Sequence, residues 1–177
     1  MDFKRELLPG VAHVALRRFE DLRGSFVKSY ARSVFDANGE TFDFREEFYS
    51  FSHKDVIRGM HFQLPPHDHV KLVYCPLGAV LDVLVDLRHG PGQYRFASVV
   101  LSEEEPSLLV IPRGIAHGFK SLRDNSLMIY KTSTEHAPTH DAGIRWDSFG
   151  FDWGVADPIV SERDARHPAL SDFSSPF

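Results

Sequence analysis

The central third of this chain is made of apolar runs too short for helices, each closed by a turn. Ala79-Val80-Leu81-Asp82-Val83-Leu84-Val85-Asp86 reads as a largely buried strand, and Ser107-Leu108-Leu109-Val110-Ile111 and Ser126-Leu127-Met128-Ile129-Tyr130 repeat the pattern. The stretch from Tyr94 to Leu101 alternates at its start, which places Tyr94, Phe96 and Ser98 on one face. Pro76-Leu77-Gly78, His89-Gly90-Pro91-Gly92, Arg113-Gly114 and Arg123-Asp124-Asn125 separate these runs with turn chemistry. Strands at such spacing, with little helical periodicity between them, predict an all-β sandwich or barrel. Helix is expected only as short peripheral pieces, around Ala31 to Ala37 and Ser161 to Ala165. The second carries a serine cap signal in Ser161-Glu162-Arg163-Asp164. At 177 residues, a single domain over 1–177 is the simplest organisation, and it is long enough to bury a real core. Ser171 to Phe177 reads as a mobile or docked tail.

Composition narrows the function classes. A net charge of -5 argues against nucleic acid as the main partner. The single cysteine, Cys75, excludes an internal disulfide framework and fits a reducing cytoplasm; within Val70-Lys71-Leu72-Val73-Tyr74-Cys75 it reads as a small buried apolar residue. No apolar run approaches the roughly 20 residues of a membrane span, so no membrane partner is expected. Met1-Asp2-Phe3-Lys4-Arg5-Glu6 lacks the charged-then-apolar order of a signal peptide.

Three segments at strand ends carry most of the chemistry: Arg58-Gly59-Met60-His61-Phe62-Gln63, Ile111-Pro112-Arg113-Gly114-Ile115-Ala116-His117-Gly118-Phe119 and Tyr130-Lys131-Thr132. With Lys71 they offer imidazoles, a phenol, a guanidinium and an amine, which is an acid/base set beside anion-binding groups. In an ideal strand His61 shares a face with Gly59 and Gln63, and the glycine would clear space beside the imidazole. An imidazole there serves equally as a base or as a buried structural hydrogen-bonding group. Arg58, Lys71 and Arg23 could form an anion site, although Arg23 in Asp21-Leu22-Arg23-Gly24 reads equally as a turn residue.

The motifs offer only part of a metal centre. Pro112-Arg113-Gly114-Ile115-Ala116-His117 matches the second motif of the cupin superfamily, whose double-stranded β-helix often holds a metal, and His67-Asp68-His69 resembles the start of the first. That first motif needs a glutamate soon after the histidine pair, and here Val70-Lys71-Leu72-Val73 follows. A lysine where a carboxylate ligand is wanted repels a cation, so the expectation is no metal, with His67 and His69 on a polar loop.

Taken in order, the motifs resemble the dTDP-4-dehydrorhamnose 3,5-epimerases. The resemblance runs through Asp21-Leu22-Arg23-Gly24-Ser25-Phe26, Ser50-Phe51-Ser52, Val56-Ile57-Arg58-Gly59-Met60-His61-Phe62-Gln63, Lys71-Leu72-Val73 and Asp82-Val83-Leu84-Val85-Asp86-Leu87-Arg88. It continues through the His117 and Tyr130 segments to Gly143-Ile144-Arg145-Trp146-Asp147 and Ser161-Glu162-Arg163-Asp164. The resemblance implies a cupin-type jelly-roll sandwich, a homodimer, no metal or other cofactor, and a nucleotide-linked sugar as substrate. It implies that His61 is the base, Asp164 its orienting partner, Tyr130 the acid on the opposite face and Lys71 a fourth catalytic group. The expected substrate-binding set is Arg23, Arg58, Gln63, His117, Asp141 and Arg163 together with Lys28, Glu46, Phe48 and His136, four residues that occupy family positions but differ from the family in type. These residue types suit the reaction on chemical grounds. A ketone at C4 acidifies C3 and C5, so inversion needs a base on one face and an acid on the other, with a cation such as Lys71 for the enolate oxygen.

The departures from the family pattern lie on the nucleotide side. Lys28 stands where the family usually has glutamate, Glu46-Glu47-Phe48 where it has a Gln-x-Asn, Asp55 where it has glycine, and Glu135-His136 where it has a tyrosine pair. Loss of an aromatic platform removes stacking of about 1–3 kcal/mol. These changes keep open a mono-epimerase acting at one carbon, or an epimerase of a sugar carried on CDP or GDP. A non-catalytic sugar-nucleotide-binding cupin is the reading from another class, and the trio of His61, Asp164 and Tyr130 argues against it.

Overall fold

The strands expected from the apolar runs form, and they face one another in two sheets. The computed structural model describes residues 1–4 and 7–177; Arg5 and Glu6, part of the N-terminal stretch read above for a signal peptide, lie outside the described residues. In chain order the elements are β1 (Asp2–Lys4), β2 (Ala12–Ala15), β3 (Arg18–Asp21), β4 (Gly24–Val27), α1 (Arg32–Ala37), β5 (Glu46–Ser52), β6 (Val56–Gln63), β7 (Lys71–Leu77), β8 (Ala79–Asp86) and β9 (Phe96–Ser102). There follow β10 (Ser107–Ile111), β11 (Ile115–Ser121), β12 (Ser126–Thr132), β13 (Asp141–Gly143), β14 (Ile159–Val160), α2 (Glu162–Ala165) and a 3-10 turn at Leu170–Asp172. One sheet runs β1-β2-β10-β7-β12-β5 and the other β13-β6-β11-β8-β9, with β14 added in parallel to β6. From β5 to β13 the chain passes back and forth between the two sheets, staying in one sheet only for the β8–β9 hairpin, and this double-sheet arrangement is the cupin-type jelly roll.

Three apolar clusters explain why the strand sequences read as continuously hydrophobic. Val73, Cys75, Leu84, Leu109, Ile111, Phe119 and Met128 fill the space between the sheets. A second cluster, with Ile57, Met60, Val83, Val85 and Trp153, covers the outer face of the β6–β11–β8 sheet. A third, around Phe35 of α1, covers the other sheet through Ala12, Val14, Leu72, Leu108 and Val110. A strand such as β8 is therefore buried on both faces, and period-two alternation is lost from its sequence. Burial pushes the Cys75 thiol up to about 12, so it remains a neutral core residue.

Two expectations need refinement. The strand after the Gly-Pro turn starts at Phe96 rather than Tyr94, because Tyr94 sits at φ 64°, a left-handed conformation that cannot continue an extended run. The C-terminal residues are docked: Phe173 and Phe177 meet the ring of Phe62 at centroid distances of 5.2 and 5.9 Å, and the Phe177 carbonyl accepts from the His89 amide at 2.9 Å. No helix among the described residues is long and apolar enough to cross a membrane.

The hairpin of β3 and β4 stands apart. Among the described residues it forms a two-stranded sheet of its own, and Phe19, Leu22 and Phe26 are 53%, 109% and 61% exposed. The outer strand β5 also leaves Phe48, Tyr49 and Phe51 exposed along a free sheet edge.

Candidate active site

Between the sheets, at one end of the sandwich, lies a cavity of about 710 Å³, within the range of small-molecule sites. One wall comes from β5, β7 and β12 and presents Glu46, Phe48, Ser50, Lys71, Tyr130 and Thr132. The facing wall comes from β6, β11, β13, β14 and α2 and presents Arg58, His61, Gln63, His117, Asp141, Arg163 and Asp164. His61 and Tyr130 thus reach the same space from opposite sheets.

Both Arg58 and His61 face this cavity, although ideal strand alternation would put them on opposite sides. A β-bulge accounts for it. His61 pairs with His117 and Arg58 with Phe119, so Gly59 and Met60 together oppose Gly118. Gly59 adopts φ +140°, and a Cβ there would lie 2.5 Å from the Gly118 Cα. The expectation that Gly59 clears space beside the imidazole is therefore corrected. The glycine is needed for its backbone angle and for contact with the neighbouring strand, and the bulge it makes turns His61 into the cavity. We expect Gly59→Ala to cost at least about 1–3 kcal/mol of stability, the usual range for such backbone strain. A thermal melt unchanged from wild type would show that the bulge tolerates a side chain.

His61 is held by Asp164, with its Nε2 2.7 Å from Oδ1. The other carboxylate oxygen accepts the Gly59 amide at 3.1 Å, so one aspartate fixes both the imidazole and the bulge that carries it. Asp164 is delivered by α2, whose cap forms as expected: the Ser161 hydroxyl accepts from the Asp164 amide at 3.1 Å. Burial alone would raise the Asp164 pKa, but the hydrogen bond and charge of His61 and the Gly59 amide hold it below the ordinary range. Asp164 is therefore a carboxylate at neutral pH, able to steady a cationic imidazole.

Tyr130 is buried, and its hydroxyl lies 3.3 Å from the Ser50 Oγ. Phe48, its direct partner across the β5–β12 ladder, stacks on the ring at 4.7 Å and 13°. Burial pushes the phenol pKa above its usual range, so Tyr130 keeps its proton. The Lys71 ammonium donates to the His61 carbonyl at 3.1 Å, and burial lowers its pKa to about 8 despite the opposing pull of Asp141 and Asp82. His117 sits deeper, with its Nε2 2.7 Å from Oδ2 of the fully buried Asp82. Burial raises the Asp82 pKa against the pull of His117.

The rest of the expected set divides. Arg58 is aimed by β5, donating through Nε to Ser52 Oγ and through Nη2 to the Phe51 carbonyl, both at 3.0 Å. Arg163 pairs with Asp141 at 2.7 Å on the cavity rim. Glu46 accepts from the His136 amide at 2.8 Å, which ties the loop bearing His136 to β5. Gln63 lines the cavity but spends its amide on protein, donating to the His67 carbonyl at 2.8 Å and accepting from the Ala137 amide at 2.6 Å. Arg23 and Lys28 do not line this cavity. Arg23 lies on the exposed hairpin, where its guanidinium grips Asp21 at 2.5 Å, and Lys28 is exposed just after β4. Asp55 is a backbone matter: it takes φ 63°, the turn that glycine would supply, in a loop whose carbonyl receives the Ile159 amide.

Among the described residues, the histidines of the cupin-type motifs do not converge on a metal set. His67 packs on His140 at the surface, His69 Nδ1 is within 3.1 Å of Gln63 Nε2, and His117 is committed to Asp82. Among the described residues, His61, Asp164 and His167 bring potential ligand atoms within 4.8 Å, but the first two already bind each other. Sequence reasoning assigned no role to Asp82, Ser50 or His167. A carboxylate inside the apolar run of β8 was a signal for Asp82, since a buried charge demands a partner. Ser50 stood in the Ser50-Phe51-Ser52 motif without a role attached, and nothing local marked His167.

A sequence profile described as dTDP-4-dehydrorhamnose 3,5-epimerase matches residues 5–172. The dTDP-4-dehydrorhamnose 3,5-epimerase of Shigella flexneri is 37% identical over 161 residues, covering 89% of this chain and 89% of that protein. The RmlC epimerase of Mycobacterium tuberculosis superposes with a TM-score of 0.92 at 35% identity, over 97% of this chain and 90% of that one. An RmlC from Legionella pneumophila in complex with dTDP-4-keto-L-rhamnose gives 0.92 at 28% identity, over 98% and 94%.

Proposed function

Because this chain belongs to the dTDP-4-dehydrorhamnose 3,5-epimerase family and is an isomerase, we propose that its cavity inverts C3 and C5 of a dTDP-linked 4-keto-6-deoxy sugar by acid/base chemistry. The observation that carries the reading is the placing of His61 and Tyr130 on opposite walls of one cavity. His61, steadied by Asp164, removes the proton beside the C4 ketone. The resulting enolate is planar, and its oxygen gains from the Lys71 ammonium. Tyr130, still protonated, returns a proton from the other side. Arg58 and Arg163 at the rim suit a diphosphate, and Glu46, Phe48 and His136 lie where the nucleoside would enter. The test is turnover of a dTDP-linked 4-keto-6-deoxy sugar in heavy water, followed by mass spectrometry and NMR. Deuterium at both carbons with inverted product is expected. Deuterium at only one would reassign the chain as a mono-epimerase, and preference for a CDP- or GDP-linked sugar would reassign the nucleotide. Binding without exchange would leave only a binding protein.

Lys71 gives this reading a pH signature. The amine is charged below about 8 and neutral above it, so kcat is expected to fall as pH rises through that value. The raised phenol of Tyr130 does not titrate there. Lys71→Met should lower kcat and abolish the alkaline limb; an alkaline limb that survives the substitution would remove Lys71 from the mechanism.

We further propose a homodimer. A two-stranded hairpin with exposed Phe19, Leu22 and Phe26 is marginal alone, and the exposed aromatics along the β5 edge call for a cover. In that arrangement the hairpin would carry Arg23 and Lys28 toward the second protomer's cavity. A sedimentation mass near the 20.1 kDa of one chain at micromolar concentration would contradict it.

A further inference from the structure

His167 is a buried titratable group that this mechanism does not use. Its side chain is 13% exposed, and its Nε2 is buried with no hydrogen-bond partner. That atom lies 3.8 Å from Asp164 Oδ1, the oxygen that also holds His61. The His61 and His167 rings meet edge to face, with centroids 5.8 Å apart at 72°. The seat of the ring is built. The Pro168 carbonyl accepts from the Arg145 amide at 2.8 Å, which pins the segment just beyond His167. Gly143, which has no positive φ to require a glycine, faces the ring: a Cβ there would lie 2.5 Å from Nε2.

We propose that His167 is a positioning residue for the His61–Asp164 pair, using Asp164 Oδ1 as its hydrogen-bond acceptor. A buried imidazole nitrogen without a partner is costly, and this carboxylate oxygen is the neighbour that can satisfy it. Closing the gap takes a ring shift of about 1 Å, after which one carboxylate bridges two imidazoles and a hydrogen bond near 2.9 Å replaces the open contact. Burial and the neighbouring His61 lower the His167 pKa, so it reaches Asp164 as a neutral donor and leaves the negative charge available to His61. The bridge limits the rotation of Asp164 and, through the ring contact, of His61. The inference rests on His61 being the base.

The test compares His167→Phe, which keeps a packed ring but no N–H, with His167→Gln, which keeps a donor. His167→Phe is expected to lower kcat about 10- to 100-fold with KM nearly unchanged, the scale of a misplaced catalytic group. Solvent exchange into the substrate should fall in step, and His167→Gln should recover part of the loss. Thermal melts of both variants separate this from unfolding, and if the phenylalanine variant is unfolded, the comparison of His167→Gln with His167→Leu replaces it. Equal kcat and exchange in the wild type and the folded donor-free variant overturn the proposal. If His61→Ala loses exchange while the donor-free variant does not, only the role of His167 fails. If His61→Ala still exchanges, the reading of the base fails first.

Discussion

Replacing His61 with alanine is expected to abolish exchange of the sugar's α-hydrogens with solvent and to lower turnover by about 10²–10⁴-fold, the usual worth of a general base. The expectation rests on geometry as well as on motif. His61 is partly open to the cavity, its Nε2 is fixed by Asp164 at 2.7 Å, and its carbonyl receives the Lys71 ammonium at 3.1 Å. A base, its orienting carboxylate and a cation for the enolate oxygen are therefore joined through one residue. Mass spectrometry in heavy water reads the result directly, because exchange requires only that the proton be removed and replaced. Exchange at the wild-type rate in His61→Ala would move the base elsewhere. His117 is the next imidazole in the cavity, but its Nε2 is already held by the buried Asp82.

Tyr130→Phe is expected to fail differently. Removing the phenol leaves His61 and Lys71 in place, so proton abstraction and return to the same face continue and deuterium still enters the substrate. Inversion requires a proton from the opposite wall, and it should fall by about 10²–10⁴-fold. The fold should tolerate the change, since the ring keeps its stack on Phe48 and loses only the contact with Ser50 at 3.3 Å. Exchange and inversion therefore separate in this variant and fall together in His61→Ala. If Tyr130→Phe lost both equally, the phenol would be acting on enolate formation rather than on reprotonation. If it lost neither, the acid would lie elsewhere on that wall.

The local signals in the chain had different reach. Short β-branched and aromatic runs bounded by turn residues sufficed for an all-β sandwich, because strand formation and turn chemistry depend on neighbours a few residues apart. The same locality explains the α2 cap, where Ser161 binds an amide three residues on. The motif residues His61, Lys71, His117, Tyr130 and Asp164 were visible as residue types in a pattern, and they do share one cavity. The turn reading of Arg23 is the one the structure bears out, whereas the placing of Lys28 away from the cavity was not visible, because a hairpin's sequence does not state what it packs against.

By itself, then, the sequence determined the central strands, the turns between them, the cap and the kinds of chemistry available. The tertiary structure decided which way those groups point and which atoms they meet. The bulge of Gly59 and Met60 against Gly118 reverses strand parity and turns His61 inward, and it exists only when β6 lies beside β11. The pairing of His117 with Asp82 and the approach of His167 to Asp164 likewise need chain segments brought together by sheet packing. Side-chain direction in a strand follows from the ladder as a whole, so one extra residue in one pairing changes the face of every residue beyond it.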